Sequence, residues 1–203
     1  MSIVSRKVIH CGGVGEFGID QVVLPSGRTA TLDVLRHPGA AAAVVFRDAS
    51  RIVMLRQYRH AAGVWLWEIP AGKLDEGEAP RACIEREIEE ETGLRAGTLV
   101  ELGQIVVAPG YSDERLWLYE ARDLQAGTMQ HGAGEEIEVH EIELEEALSM
   151  IDRGDIIDAK TICALHLVAR RHRRAPADAS DEIGADGRPS GSTRSALNRA
   201  DKP

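Results

Sequence analysis

Apolar residues fall into distinct rhythms along this chain. Ala41 to Phe46 is an unbroken apolar run and Ile52 to Leu55 is another, parted by the polar turn Arg47 to Ser50. Such short runs between turn residues predict interior strands of a sheet covered on both faces. Leu99 to Val107 and Leu116 to Glu120 predict further strands. Ile137 to Ile142 alternates apolar with acidic residues, as a half-exposed strand does. Residues 1–40 read as short strands broken at Gly12-Gly13, at Pro25 to Gly27 and at Pro38-Gly39, with Thr31 to Leu35 a strand candidate. Leu144 to Ile151 and Asp158 to Arg173 read as helices. Asp158 suits the N-cap of the second, and the arginines near its other end complement the helix dipole. No internal repeat is visible. From Ala175 to Pro203 large apolar residues almost vanish while Gly, Pro, Ser and Asp accumulate, so this stretch cannot offset the entropy of ordering and is expected to be a disordered tail.

One further helix carries chemistry. Gly72 to Leu94 reads GKLDEGEAPRACIEREIEEETGL and fits the spacing G-x5-E-x7-R-E-aliphatic-x-E-E-x-G-aliphatic at every fixed position. Pro80 suits a first helical turn, where a missing N–H is harmless, and Gly93 suits the left-handed position after a helix end. Ala82, Cys83, Ile84 and Ile88 can supply buried contacts. Glu87, Glu90 and Glu91 project toward a common edge, and Arg86 stands four residues before Glu90, within reach of a charge-assisted bond. Two carboxylates about 5 Å apart at an effective dielectric near 20 repel by roughly 3 kcal/mol, so gathering them in a partly buried place makes sense mainly if cations sit between them. Hard oxygen ligands of this kind suit magnesium or manganese. A solvated glutamate-rich helix is the plain alternative, and a full match to so specific a frame argues against it.

These residues resemble the signature box of the Nudix hydrolases, which cleave a nucleoside diphosphate linked to another group. The resemblance implies an α/β fold, a Nudix-type α/β/α sandwich with a mixed central sheet preceded here by a small amino-terminal β region. It also implies Mg2+, with Mn2+ as the other candidate, held by Glu87, Glu90, Glu91 and the backbone carbonyl of Ala71. The flanks narrow it: RQYR (Arg56 to Arg59), EIPAGK (Glu68 to Lys73) and PGYSDE (Pro109 to Glu114), with Pro109 sixteen residues beyond Gly93, look like the ADP-ribose pyrophosphatase branch. Members of that branch hydrolyse ADP-ribose to AMP and ribose 5-phosphate. They are typically homodimers whose amino-terminal strands help bind the adenosine part.

The residues expected at the substrate are Arg56, Arg59, Glu68, Pro109 and Glu114. Arginines at a strand end can bind phosphate bidentately, and Trp or Tyr can stack on a base. Each also has a structural reading: Arg59 as a surface ion pair, Trp65 and Trp67 as core packing. The catalytic set is expected to be Glu90, Glu135 and Arg86. In the resembled branch the general base often comes from a loop before a late strand, here His131 to Glu138. This loop is poorer in acids than usual, so Glu135 stands as base or extra metal ligand against a solvated loop charge. The seven histidines show no ligand spacing and read as core or surface residues.

Composition bounds the rest. At 203 residues the chain can build one core of about 150 residues plus appendages, so the expected parts are 1–40 as a possible dimerisation region, 41–174 as the hydrolase domain and 175–203 as the tail. A net charge of -9 argues against nucleic acid as a partner. MSIVSRKVIH lacks the apolar stretch of a signal peptide, and no run is long enough for a membrane span, so no membrane and a cytoplasmic location are expected. Cys11, Cys83 and Cys163 read as reduced thiols. The expected activity is hydrolysis of a nucleoside diphosphate sugar, ADP-ribose first. A GDP-mannose-type pyrophosphatase is the nearest alternative. A nucleotide-sensing regulator is the contrasting class, disfavoured because the box is intact and the tail too polar and short for a DNA-binding domain.

Overall fold

A computed structural model describes residues 2–132, 134 and 136–174. The central element is β4 (Ala40–Phe46), buried along its whole length. Its alternate residues face opposite ways. Ala41, Ala43 and Val45 pack with Cys83, Ile84 and Ile88 of α1 (Pro80–Thr92). Ala42, Val44 and Phe46 pack against α2 (Leu144–Arg153) and α3 (Ala159–Arg174), through Ala147, Leu165 and Val168. Small alanines over the first half of β4 let helices approach the sheet closely on both sides. This is the expected α/β/α sandwich.

Around β4 the main sheet takes the order β10-β5-β4-β9-β8, from β10 (Ile137–Glu143), β5 (Arg51–Arg59), β9 (Arg115–Ala126) and β8 (Leu94–Val106). Two short strands lie off that path: β6 (Val64–Glu68) pairs with β5, and β7 (Ala71–Lys73) pairs with β4. The β4–β9 pair is parallel and the other pairings are antiparallel, so the sheet is mixed. The apolar runs mark only the buried middles of their strands. β5 continues past Leu55 to Arg59, and β8 starts directly after Gly93, because backbone pairing extends beyond the part covered by helices.

Residues 2–36 form a second, antiparallel sheet of β1 (Ser2–Gly12), β2 (Gly15–Val23) and β3 (Thr29–Arg36). Its strands are longer than the turn signals suggested, and two register shifts in the β1–β2 pair absorb irregularities along them. A buried carboxylate, Asp20, accepts Arg6 Nη1 at 2.6 Å and Arg36 Nη2 at 2.7 Å, tying the three strands together. The sheet meets the main body where Leu35 bridges the loop before β9: its N–H donates to the Tyr111 carbonyl at 2.7 Å, and its carbonyl accepts the Asp113 N–H at 3.3 Å.

α1 has the termini that its sequence suggested. Pro80 occupies its first turn, and Gly93 ends it at φ 69°, the left-handed conformation in which glycine is unstrained, with its N–H donating to the Glu89 carbonyl. Asp158 caps α3, its Oδ2 accepting the Thr161 N–H at 3.0 Å. The tail from Ala175 lies outside the described residues, as does Glu135.

Candidate active site

The signature helix lays one edge against β7, and a glycine makes the approach possible. A Cβ on Gly72 would fall 1.8 Å from Glu87 Oε1, so the carboxylate rests where any side chain on that strand would sit. One residue earlier, the Ala71 N–H donates to Glu91 Oε2 at 3.0 Å. Glu91 is a buried acid, 4% exposed. The spacing 83, 84, 87, 88, 91 puts apolar and acidic residues on adjoining stripes of α1, so the packing that buries Ile84 and Ile88 also fixes Glu87 and Glu91 against the backbone of β7.

Arg86 gathers the remaining acids. Its Nε and Nη2 fork onto Glu78 at 3.1 and 3.0 Å, and its Nη1 donates to Glu87 Oε1 at 2.7 Å and Glu90 Oε2 at 3.1 Å. The Glu78 bonds and the field of Glu87 hold the guanidinium pKa well above its ordinary value, and Arg86 in turn holds the Glu78 carboxyl below the usual range. Burial, then Glu78 and Glu87, push the Cys83 thiol up to about 12, which leaves it protonated and inert at neutral pH. Among the described residues no group of three His, Cys, Asp or Glu side chains is drawn together tightly enough to hold a metal, and Arg86 stands between two of the candidates. The donor set nevertheless suits magnesium or manganese: carboxylate oxygens, a backbone carbonyl at Ala71, and a glycine that leaves them room. Glu87, Glu90, Glu91 and Ala71 are the residues that could hold the ion.

A polar pocket of about 320 Å³ opens beside them, lined by Arg86, Glu87, Glu90, Glu91, Gln130, His131 and Gly132. The segment before β10 closes its far wall: the Gln130 N–H donates to the Glu90 carbonyl at 2.8 Å, and His131 Nε2 lies 3.0 Å from the Glu91 carbonyl. The sequence assigns Gln130 and His131 no role at the site, although His131 opens the loop expected to bear the base. A single histidine in a glycine-rich stretch carries no spacing signal, and its partner on α1 is forty positions away.

None of the expected substrate residues is among those lining this pocket. Arg59 forks onto the buried Glu68, with Nε and Nη2 each 2.7 Å from a carboxylate oxygen. Lys160 of α3 bonds Glu68 from the other side. Burial pushes the Glu68 carboxyl up, but Arg59 and Lys160 more than offset this, and it stands below the ordinary range. The bonds to Glu68 raise the Arg59 guanidinium pKa against the effect of burial, and the fields of Glu68, Glu91 and Asp158 add to them. Glu68 is thus committed to two cations. Arg56 lies over the half-exposed Trp65 ring, 5.5 Å from its centroid, and 3.5 Å from Glu138, on the outer face of the β5–β6 hairpin. Tyr58 packs at a tilt of 59° against the same Trp65, whereas Trp67 packs edge-on against His140. Pro109 is exposed at the tip of the loop before β9. Glu114 lies deeper in the same loop, 4.0 Å from His37 Nδ1. The loop is latched to the amino-terminal sheet by Arg36 Nη1 to Asp113 Oδ2 at 3.0 Å and by the His37 N–H to Asp113 Oδ1 at 2.8 Å. The amino-terminal hairpin also reaches the box, where Lys73 Nζ donates to the Gly13 carbonyl at 2.6 Å.

Comparisons with known proteins agree with this architecture. A family model described as the NUDIX domain matches residues 36–165. The chain is 37% identical over 164 residues to a methanol dehydrogenase activator of Bacillus methanolicus, covering 80% of this chain and 89% of that one. It is 34% identical over 164 residues to the ADP-ribose pyrophosphatase of Bacillus subtilis (strain 168), with the same coverage, 80% and 89%. The crystal structure of an ADP compounds hydrolase superposes with a TM-score of 0.74 at 19% identity, covering 85% of this chain and 94% of that one, which shows a shared fold. With the family model spanning both the box and the sheet that carries it, the chain belongs to the Nudix domain family.

Proposed function

We propose that this protein is a divalent-metal-dependent pyrophosphatase that hydrolyses the diphosphate bond of ADP-ribose or a related nucleoside diphosphate sugar, yielding AMP and ribose 5-phosphate from ADP-ribose. The observation that carries the reading is the convergence of Glu87 and Glu91 on the Ala71–Gly72 backbone beside a polar pocket, with Arg86 linking Glu87 to Glu90. An acid cluster of this kind has little use for an anionic diphosphate unless cations join the two. Glu87, Glu90, Glu91 and the Ala71 carbonyl would hold magnesium, which would supply charge neutralisation on the diphosphate and a more acidic water.

The chain's own residues have separate tasks. Arg86 keeps Glu87 and Glu90 from repelling one another before the ion arrives. Arg59, aimed by Glu68, offers its remaining N–H edge to a phosphate oxygen. Arg56 and Trp65 offer a cation and an aromatic face at the β5–β6 hairpin, and Pro109 and Glu114 are the proposed substrate contacts from the loop before β9. Water attacks one phosphorus, the bridging P–O bond breaks, and the departing phosphate leaves with the bond electrons. The water's proton passes to a base, for which Glu135 is the proposed residue. In keeping with the branch that the sequence resembles, we also propose a homodimer in which residues 1–40 meet the partner, a hydrolase body over 41–174 and a dispensable tail over 175–203. The exposed apolar side chains of β1, Ile3, Val4, Val8 and Ile9, support the dimer reading.

Turnover of ADP-ribose, GDP-mannose and other nucleoside diphosphate sugars with magnesium, compared by kcat/KM, tests the assignment. ADP-ribose should lead the panel. A clear preference for GDP-mannose would move the protein to the alternative specificity, and no turnover on any member would remove the hydrolase reading.

A further inference from the structure

Between β6 and β7 the chain leaves the edge of β5 and crosses to β4, and Ile69 and Pro70 make the step. Neither strand ladder serves the Ile69 N–H there. Ile69 is 1% exposed, so water cannot serve it either, and an unmet buried donor costs about 1–3 kcal/mol. The Thr161 hydroxyl of α3 accepts it at 3.0 Å, across ninety-two positions of sequence. Thr161 is itself fully buried, and its hydroxyl proton goes to Asp158 Oδ2 at 2.6 Å, so the lone pairs face Ile69. Two residues on, the Ala71 N–H is pinned by Glu91. The adjoining Lys160 lies between Asp158 Oδ2 at 3.1 Å and Glu68 Oε2, the oxygen that also accepts Arg59 Nη2.

We propose that the first turn of α3, Asp158 to Thr161, is a positioning element for the hydrolytic site, in which Thr161 fixes the turn carrying the Ala71 carbonyl and Lys160 fixes the acid that aims Arg59. The inference rests on the hydrolase reading above and extends it to residues on the far side of the sheet from α1. Simple capping of α3 accounts for Asp158, whose carboxylate accepts the Thr161 N–H. It leaves unexplained why the Lys160 and Thr161 side chains, besides bonding Asp158, also grip residues 68 and 69. The two grips have different consequences. Loosening Thr161 should act on the metal-bearing turn, hence on metal affinity and kcat. Loosening Lys160 should act on Arg59, hence on KM.

The test uses Thr161→Val, which keeps shape and removes the hydroxyl, Thr161→Ser, which restores it, and Lys160→Met. Mn2+ affinity is read by electron paramagnetic resonance without substrate, kcat and KM are measured on the best nucleoside diphosphate sugar, and folding is checked by circular dichroism. Groups that orient metal ligands typically change affinity or activity about 10–100-fold when lost. Thr161→Val should therefore weaken Mn2+ binding and lower kcat by at least about tenfold with KM little changed, Thr161→Ser should recover most of both, and Lys160→Met should raise KM about tenfold at unchanged Mn2+ affinity. A folded Thr161→Val with wild-type Mn2+ affinity and kcat overturns the proposal, as does a Thr161→Ser no better than Thr161→Val. If Thr161→Val does not fold, Lys160→Met decides: a rise in KM at constant Mn2+ affinity supports the proposal, and any other pattern overturns it. Wild-type protein that neither binds Mn2+ nor turns over substrate would sink the hydrolase reading and this inference together. Variants without effect in an active, Mn2+-binding enzyme sink the inference alone.

Discussion

Glu91 and Gly72 hold the shortest route from residue to function. Glu91 accepts the Ala71 N–H and is nearly buried, so Glu91→Gln keeps the side chain's shape and removes its charge. Loss of a ligand that helps stabilise transition-state charge is expected to lower turnover at least about a hundredfold. Thermal stability without metal should hold level or rise, because one like charge has left the cluster. Steady-state kinetics with a melting curve checks both halves. Gly72→Ala is the steric counterpart. Its new methyl overlaps Glu87 Oε1, so the carboxylate must leave the backbone, and Mn2+ affinity should fall with activity while the core is untouched. Wild-type affinity in that variant would show that Glu87 is not a ligand. Far from this site, Glu120 provides a pH signature. Burial pushes its carboxyl up, but bonds from Arg122 and His172 pull it further down, to a net value below the ordinary range. A lowered folded-state pKa contributes stability above the unfolded value near 4.5, and that contribution disappears as pH falls through the folded value. Glu120→Gln should thus lose about 2 kcal/mol at neutral pH, with the gap to wild type closing as the pH drops below 4.5. Urea melts at several pH values measure it.

At the scale of elements, the loop before β9 and the amino-terminal sheet act as one unit. Leu35 bridges the loop, and Arg36 and His37 grip Asp113. Asp113→Asn weakens the grip without altering size, so KM for the sugar nucleotide should rise severalfold while kcat and Mn2+ affinity stay near wild type. An unchanged KM would mean that the loop holds its shape without the latch. Elements also differ in how plainly their sequences announce them. β4 and the middle of β5 are continuous apolar runs because both faces are covered, and α1 is announced by Pro80, Gly93 and the acid spacing. β6 and β7 are short and flank a proline, so nothing periodic marks them. The grip of α3 on residues 68 and 69 joins ordinary-looking Lys and Thr to partners ninety-two positions away, and no local pattern encodes such a meeting. The acids of the box were legible because residues three and four apart on one helix share a face. The wall built by Gln130 and His131 was not, since only folding brings it to α1.

For the whole molecule, the arrangement is an α/β/α body with the candidate site where α1 meets β7, beside the central strand, and a second β layer latched to the loop before β9. β1 presents Ile3, Val4, Val8 and Ile9 to solvent, apolar area that a partner copy would cover. Light scattering should give twice the chain mass, and removing residues 1–40 should give a monomer with much weaker substrate binding. A fully active monomer of the intact chain would contradict the shared-site arrangement. No described helix is long and apolar enough to cross a membrane. Among all these consequences, the central claim is that carboxylates on α1 direct metal-dependent cleavage of a sugar nucleotide. The most direct measurement is 31P NMR of ADP-ribose incubated with magnesium and either wild-type protein or Glu91→Gln. The account predicts AMP and ribose 5-phosphate from the wild type, abolished by chelation and nearly absent with the variant. Intact ADP-ribose with the wild type, or equal cleavage by the variant, would contradict it.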